Sequence, residues 1–363
     1  MQEPLVKLKE IIWEITGRCE NKCFYCGSKD VWNVPIDDKR IIDIAKKIAV
    51  YPPEQIDVSG GDPLLVSFET HKKVVKILKD AKVLVKILVN PKSFMQGEVW
   101  STTSNSSVKR KVLGLYDWIG LSVNTKEELD CVSNLSLVSD NTTIITNFNA
   151  VNVFLFDEIK KVVKEHDSRW QIQFTVSKDP EDSIAIYNNE GAMCYLSERV
   201  NSAFAEKVDI VLSDNCNNGI CTAGRYSCGI LWSGNVIPCL SMRSWVSSID
   251  DCVVGNIREK SLQEIWENCF DDYRIRQFKC CKDHCKNKYF VPCLPDYKFW
   301  TYPPVSPSVT LYGVSPTPVY AVFPSPTIMY GVGGSGGSGT YLYAVPTKND
   351  VSSVTCFYLV TTK

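Results

Sequence analysis

The 363-residue sequence predicts an α/β fold, a partial (βα)6 arrangement of parallel strands and helices followed by a small cysteine-rich domain. Three observations lead there. Strand-like and helix-like segments alternate from Glu10 to about Val176. Ten of the 16 cysteines crowd into the 78 residues from Cys216 to Cys293. Three more, Cys19, Cys23 and Cys26, sit in one short loop with the spacing C-x3-C-x2-C.

Each element follows from its pattern. EIIWEI (10–15) reads as a buried strand, and DDKRIIDIAKKIAV (37–50) places apolar residues at helical spacing. QIDVS (55–59) is a strand, FETHKKVVKILKDA (68–81) an amphipathic helix and KVLVKILV (82–89) a strand again. YDWIGLSV (116–123), TTIITNF (142–148) and WQIQFTV (170–176) are further strands, with helices near 126–137, 155–166 and 189–208. A β-then-α rhythm implies parallel strands joined by crossovers, either open or closed into a barrel. About six units are visible, short of the eight of a complete barrel.

The expected organisation is a barrel over 1–210 and a cysteine-rich domain over 211–297, with three further pieces. Residues 302–332 are dense in Pro, Ser, Tyr and Val, and carry no charged side chain. Proline at that density blocks helices and central strands, so 298–332 is expected to be an extended tail. GGSGGSG (333–339) has a flexible linker composition of the kind used to join segments, which leaves open whether residues 333–363 are native or engineered. Residues 340–363 read as two strands around PTKND, too small a hairpin to fold alone.

Composition narrows the function classes. Lys+Arg 40 against Asp+Glu 41 gives no basic excess for nucleic acid. Neither an apolar run of about 20 residues nor a charged-then-apolar leader is present, so a cytoplasmic protein is expected, with no membrane partner. In a reducing compartment many cysteines point to metal or cluster ligation rather than disulfides. With 3 histidines, Cys/His zinc sites and histidine acid–base chemistry are thinly supplied.

Three thiolates in a turn-rich loop after a strand suit three irons of a 4Fe–4S cube, leaving one iron open for another ligand. The alternatives are a zinc site lacking a ligand, or buried cysteines acting as small hydrophobes. A strand, Thr16-Gly17-Arg18, the C-x3-C-x2-C loop and Tyr25 before its last cysteine resemble the radical S-adenosylmethionine (SAM) superfamily. The resemblance implies that the open iron chelates SAM and that an external electron donor reduces the cluster, which yields a 5′-deoxyadenosyl radical. SGGDP (59–63) is similar to that family's GGEP-type motif, with Asp62 in place of Glu. Gly60 and Gly61 then allow close backbone approach to the SAM amino group. Asn90, Ser122 and Asn124, at strand ends, lie where relatives contact ribose and carboxylate. Taken alone, Gly-Gly-Asp-Pro is a good turn, and polar residues at strand ends are common.

The cysteine-rich segment resembles the auxiliary-cluster extensions called SPASM and twitch. Cys221, Gly234 and Cys239 form C-x12-G-x4-C, Cys228 lies between as a third ligand would, and VGNIREKSLQEIWEN (254–268) is similar to the extension's linker. Cys281-x3-Cys285-x7-Cys293 is looser than the family pattern, so at least one auxiliary cluster is implied and a second is left open. A zinc knuckle using His284 is the alternative.

Enzymes that join such a barrel to SPASM domains often modify ribosomally made peptides, so the resemblance implies a peptide substrate. Leu311-Tyr312-Gly313 and Met329-Tyr330-Gly331 in the tail resemble the X-Tyr-Gly site of spliceases, which excise tyramine and leave an α-keto-β-amino residue. On that reading Tyr330 is the target if the tail is substrate in cis, and 340–363 derives from a small accessory protein. The competing readings are a crosslinking (thioether or carbon–carbon) or epimerising radical SAM maturase, an iron–sulfur or zinc protein that only binds or transfers electrons, and, for the tail, a natural disordered segment.

Overall fold

The computed structural model describes residues 6–21, 23, 26, 28, 31–94, 103–135, 138–175, 184–186, 189–212, 222–240, 248–271, 274, 340–345 and 356–361. Met1–Asp296 forms one compact unit and Tyr297–Lys363 another.

In the first unit, seven parallel strands follow one another in space as they do in sequence: β1 (Glu10–Thr16), β2 (Gln55–Gly60), β3 (Leu84–Val89), β4 (Trp118–Ser122), β5 (Thr142–Phe148), β6 (Arg169–Phe174) and β7 (Ile210–Leu212). Helices α1 (Asp38–Val50), α2 (Phe68–Asp80), α3 (Thr103–Leu113), α4 (Lys126–Leu135), α5 (Phe156–Glu165) and α6 (Glu190–Ala205) connect them. This is the six-unit α/β architecture that the rhythm predicts. Among the described residues the strands do not close into a ring. The other edge of β1 pairs in parallel with β8 (Ser227–Ile230), which continues antiparallel into β9 (Asn235–Ile237) and β10 (Gly255–Asn256). One sheet therefore carries both the barrel strands and the start of the cysteine-rich segment.

Alternation along the strands separates two faces. Ile11, Trp13, Ile56, Val58, Val85 and Ile87 are buried and belong to one core with Ile41, Ile44 and Ile48 of α1 and Val74 and Leu78 of α2. At the far side the rings of Phe148, Phe156 and Trp170 cluster with centroids 4.7–6.0 Å apart and join β5, α5 and β6. The other face is mixed, with charged and apolar side chains in the same row. Ile12, Asp57, Lys86 and Trp118 lie in one cross-strand row, and Lys86 pairs with Asp57 at 3.5 Å.

Caps set the helix starts. The Asp37 carboxylate accepts from the Arg40 amide at 3.0 Å and the Ser67 hydroxyl from the Thr70 amide at 3.2 Å, each satisfying an otherwise orphaned N–H. Two elements go beyond the sequence reading. Helix α3 has a mostly polar sequence, with Val112 and Leu113 buried at its end. Strand β7 is too short for periodicity to reveal and exists through its register with β6, Trp170 beside Ile210 and Ile172 beside Leu212.

Helix α7 (Leu262–Asn268) follows β10. Its Trp266 is fully buried and donates from Nε1 to the Val6 carbonyl at 2.9 Å. In the second unit, β11 (Thr340–Val345) and β12 (Cys356–Thr361) pair antiparallel. Among the described residues, no helix is long and apolar enough to cross a membrane.

Candidate functional site

The cysteine loop leaves the carboxyl end of β1. The Cys19 amide donates to the Trp32 carbonyl at 3.0 Å and the Cys26 amide to the Cys23 carbonyl at 3.1 Å, so the loop closes on itself. All three thiols are half-buried. Two of them face N–H groups: the Ser28 amide lies 3.3 Å from Cys26 Sγ, and Asn90 Nδ2 lies 4.0 Å from Cys23 Sγ. The Ser28 hydroxyl donates to the buried Glu14 on β1 at 3.2 Å.

Gly60 and Gly61, at the end of β2, press against the stem of that loop. The Gly61 amide donates to the Thr16 carbonyl at 2.7 Å and the Asp62 amide to the Arg18 carbonyl at 2.8 Å. Gly60 has φ +134, and a Cβ on Gly61 would lie 2.2 Å from the Arg18 oxygen. No larger residue fits without moving backbone. The space left by the missing side chains is thus filled by Thr16–Arg18, a reason for the glycine pair that differs from an open cradle for a ligand.

Asp62 is likewise committed within the protein. Its Oδ1 accepts from the Leu64 amide at 3.0 Å and its Oδ2 from the Ser93 hydroxyl at 2.7 Å. Burial pushes its carboxyl above the usual range, and the bonds from Ser93 and Leu64 hold the rise back. Asn21 in the cysteine loop donates to Ser93 Oγ at 3.3 Å, and Lys109 of α3 donates to the Ser93 carbonyl. Ser93 therefore joins the Gly-Gly-Asp turn, the cysteine loop and α3. Beneath the turn, His71 is fully buried between the Pro63 carbonyl (Nε2, 2.9 Å) and the Tyr116 hydroxyl (Nδ1, 2.6 Å). Burial lowers its pKa to about 4, so it is a neutral brace.

At the ends of β3 and β4, the predicted Asn90, Ser122 and Asn124 converge through a residue that sequence reasoning missed, Glu128. This carboxylate is 1% exposed. Oε1 accepts from Asn90 Nδ2 at 2.6 Å, and Oε2 accepts from the amides of Asn124 (2.6 Å) and Thr125 (3.0 Å). Burial raises its pKa, against the lowering effect of those donors. Asn124 Nδ2 donates to Ser122 Oγ at 2.8 Å, and its Oδ1 accepts from the Asn147 amide at 2.6 Å. The signal was available, because Thr125-x-x-Glu128 is a capping-box pattern and the Glu128 amide does return to Thr125 Oγ1 at 3.2 Å. Lys92 stands beside this group, 2.5 Å from Glu127. Its burial lowers its pKa, but the Glu127 bond and the charges of Glu127, Glu128 and Cys23 prevail and raise it.

In the cysteine-rich segment, Gly234 has φ +94 and makes the turn between β8 and β9, with its amide on the Leu231 carbonyl at 2.8 Å. The glycine of C-x12-G-x4-C is thus a turn requirement. Cys228 lies in β8, in register with Ile11, where burial pushes its thiol up to about 12. Cys239 is half-buried just beyond β9. Cys252 is also buried, and burial and then the Asp251 charge push its thiol up to about 11. Cys221, Cys281, Cys285, Cys293 and Tyr330 lie outside the described residues.

Residues 221–287 match the SPASM family, described as an iron–sulfur cluster-binding domain. No curated protein matches the chain. Among solved structures, Streptococcus suis SuiB bound to precursor peptide SuiA is similar at 13% identity and TM-score 0.55, over 76% of this chain and 69% of that one. Native anSMEcpe with bound AdoMet and Cp18Cys peptide is similar at 13% identity and TM-score 0.51, over 73% of this chain and 82% of that one. Over about three quarters of its length the chain therefore shares the fold of these two structures, with a SPASM match near its carboxyl-terminal part. The donors present suit the cluster that the cysteine spacing leads one to expect: three thiols on one loop, two of them within reach of N–H groups, and a glycine pair locking the loop stem. Among the described residues, no three His, Cys, Asp or Glu side chains form a cage for a single metal ion.

Proposed function

We propose that the protein is a radical SAM enzyme that modifies a ribosomally made peptide and, as the finer reading, excises a tyramine unit at an X-Tyr-Gly site. The observation that carries the enzyme reading is the three-thiol loop at the carboxyl end of β1, locked by Gly60 and Gly61 at the end of β2, in a parallel α/β sheet where active sites lie at that end. Cys19, Cys23 and Cys26 would hold the cluster, and Gly60, Gly61, Asp62, Asn90, Ser122 and Asn124 would surround SAM. Cys221, Cys228 and Cys239 are the proposed auxiliary ligands, with Cys281, Cys285 and Cys293 for a second cluster. When bound, cluster and SAM together supply a carbon radical able to abstract hydrogen. The chain's own part is orientation: the Asp62–Ser93–Asn21 bonds hold the loop against the Gly-Gly turn, and Glu128 fixes the ends of β3 and β4. A peptide substrate is supported by the likeness to SuiB, whose structure contains a precursor peptide. Tyr330 is the proposed target in cis, with an external electron donor and a small accessory protein as partners.

The test is anaerobic reconstitution with SAM and reductant, followed by mass spectrometry of nucleoside and peptide. The proposed reaction releases 5′-deoxyadenosine and removes a tyramine-sized mass. A crosslink would remove a hydrogen pair, and epimerisation would leave the mass unchanged; either retains the enzyme and overturns the splicing. Absence of SAM cleavage by the loaded protein overturns the enzyme reading.

A further inference from the structure

We propose that Asn90 is a positioning residue for the cluster of the cysteine loop, donating a side-chain hydrogen bond to the Cys23 thiolate in an orientation held by the buried carboxylate of Glu128. The inference rests on the cluster reading above.

The carboxamide of Asn90 has two N–H donors and one acceptor oxygen. The oxygen accepts from the Lys92 amide at 2.9 Å. Nδ2 lies 2.6 Å from Glu128 Oε1 and 4.0 Å from Cys23 Sγ. This arrangement fixes which end of the amide faces sulfur: the oxygen is held by the Lys92 amide, and the carboxylate of Glu128 accepts from the nitrogen. A flipped Asn90 would set two oxygens against each other and leave the Lys92 amide facing an NH2 group. A thiol is a weak acceptor, so 4.0 Å is the outer range of such a bond. A thiolate is charged and draws a donor in.

Glu128 does more here than a helix cap requires. A capping box needs the Thr125 amide on the glutamate and the Glu128 amide on Thr125 Oγ1, at 3.0 and 3.2 Å. The bond from Asn90 is additional and ties α4 to the end of β3. A donor on a cluster thiolate stabilises the more negative, reduced cluster and raises its reduction potential.

The test uses the reconstituted full chain. Mediator-controlled reduction is followed by electron paramagnetic resonance, with the SAM-binding cluster identified by the change of its signal on adding SAM. Asn90→Ala should shift that couple to more negative potential. Asn90→Asp, which turns an acceptor toward the sulfur, should shift it further, and Asn141→Ala, at the amino end of β5, should leave it in place. Should the Asn90 variants not fold, the wild-type protein decides. With side-chain heavy-nitrogen asparagine, the reduced cluster should show a nitrogen coupling that survives Asn21→Ala. No such coupling, or an unchanged potential in a fully loaded Asn90→Ala, overturns the inference and leaves the enzyme reading standing. If Cys23→Ala loses no iron, the cluster reading fails and takes this one with it.

Discussion

The loop after β1 and the β8–β10 segment both carry cysteines and share one sheet, yet they treat them differently. In the loop the thiols are half-buried and meet N–H groups from Ser28 and Asn90. In the second region Cys228 and Cys252 are buried, with thiols pushed up to about 12 and 11. A buried thiol without a neighbouring cation resists becoming a thiolate unless a metal supplies the charge. The first region thus brings backbone and side-chain N–H donors to two of its sulfurs. The second builds its frame elsewhere, through the Gly234 turn, the Asn256–Asn235 side-chain bond of 2.7 Å and the buried Trp266. A cysteine pattern alone does not tell these two situations apart.

The largest effect that breaks this contrast is expected from Gly61→Ala. Its new Cβ meets the Arg18 carbonyl at 2.2 Å, and backbone cannot swing aside as a side chain can. We expect a loss above about 3 kcal/mol and failure to load the loop cluster, read by urea denaturation and iron content. Gly114→Ala, whose nearest atom is at 3.6 Å, should be tolerated. Equal behaviour of the two would remove the packing explanation of the glycine pair.

Acid should come next. The unfolded chain protonates His71 near 6.5, whereas the folded one does so only near 4. As pH falls through that window the unfolded state takes up the proton first, so stability present above pH 6.5 is lost toward pH 4. The loss from this group is at most about 3 kcal/mol. Thermal melts across this window should steepen in the wild type relative to His71→Gln. Parallel curves would mean that His71 does not govern the acid response.

The two sulfur environments themselves are separated by iron counting. Cys23→Ala should lose the SAM-binding cluster and all 5′-deoxyadenosine formation while retaining auxiliary absorbance. Cys228→Ala should lose auxiliary iron, and Cys252→Ala should change neither. Full iron retention in Cys228→Ala would make that residue an apolar core side chain and nothing more. The smallest effect is expected from Asp62→Asn. It keeps an acceptor for the Leu64 amide but places N–H groups against Ser93, at about 1 kcal/mol, visible as a small shift in melting temperature with the cluster still loaded.

Periodicity and spacing by themselves determined much of this protein. The apolar rows of β1–β6 and the amphipathic faces of α1, α2 and α5 are local patterns, so the partial barrel was legible in the order of residues alone. The same holds for the position of Cys19, Cys23 and Cys26 after the first strand and of Gly60-Gly61 after the second. Helix α3 and strand β7 were not legible, because a polar helix and a three-residue strand exist through the neighbours they pack against. Nor did the pattern reveal that β8 lines up beside β1, which places Cys228 next to Ile11 across 217 residues of chain (228 − 11). At the site, sequence indicated which residues were polar and near strand ends, and tertiary structure decided what they do. Asp62 turns both oxygens inward to Leu64 and Ser93, Glu128 collects Asn90 and Asn124, and His71 braces the turn as a neutral ring. Those roles depend on which distant donors and acceptors meet once water is excluded, and a buried polar atom takes whatever partner the fold brings within reach.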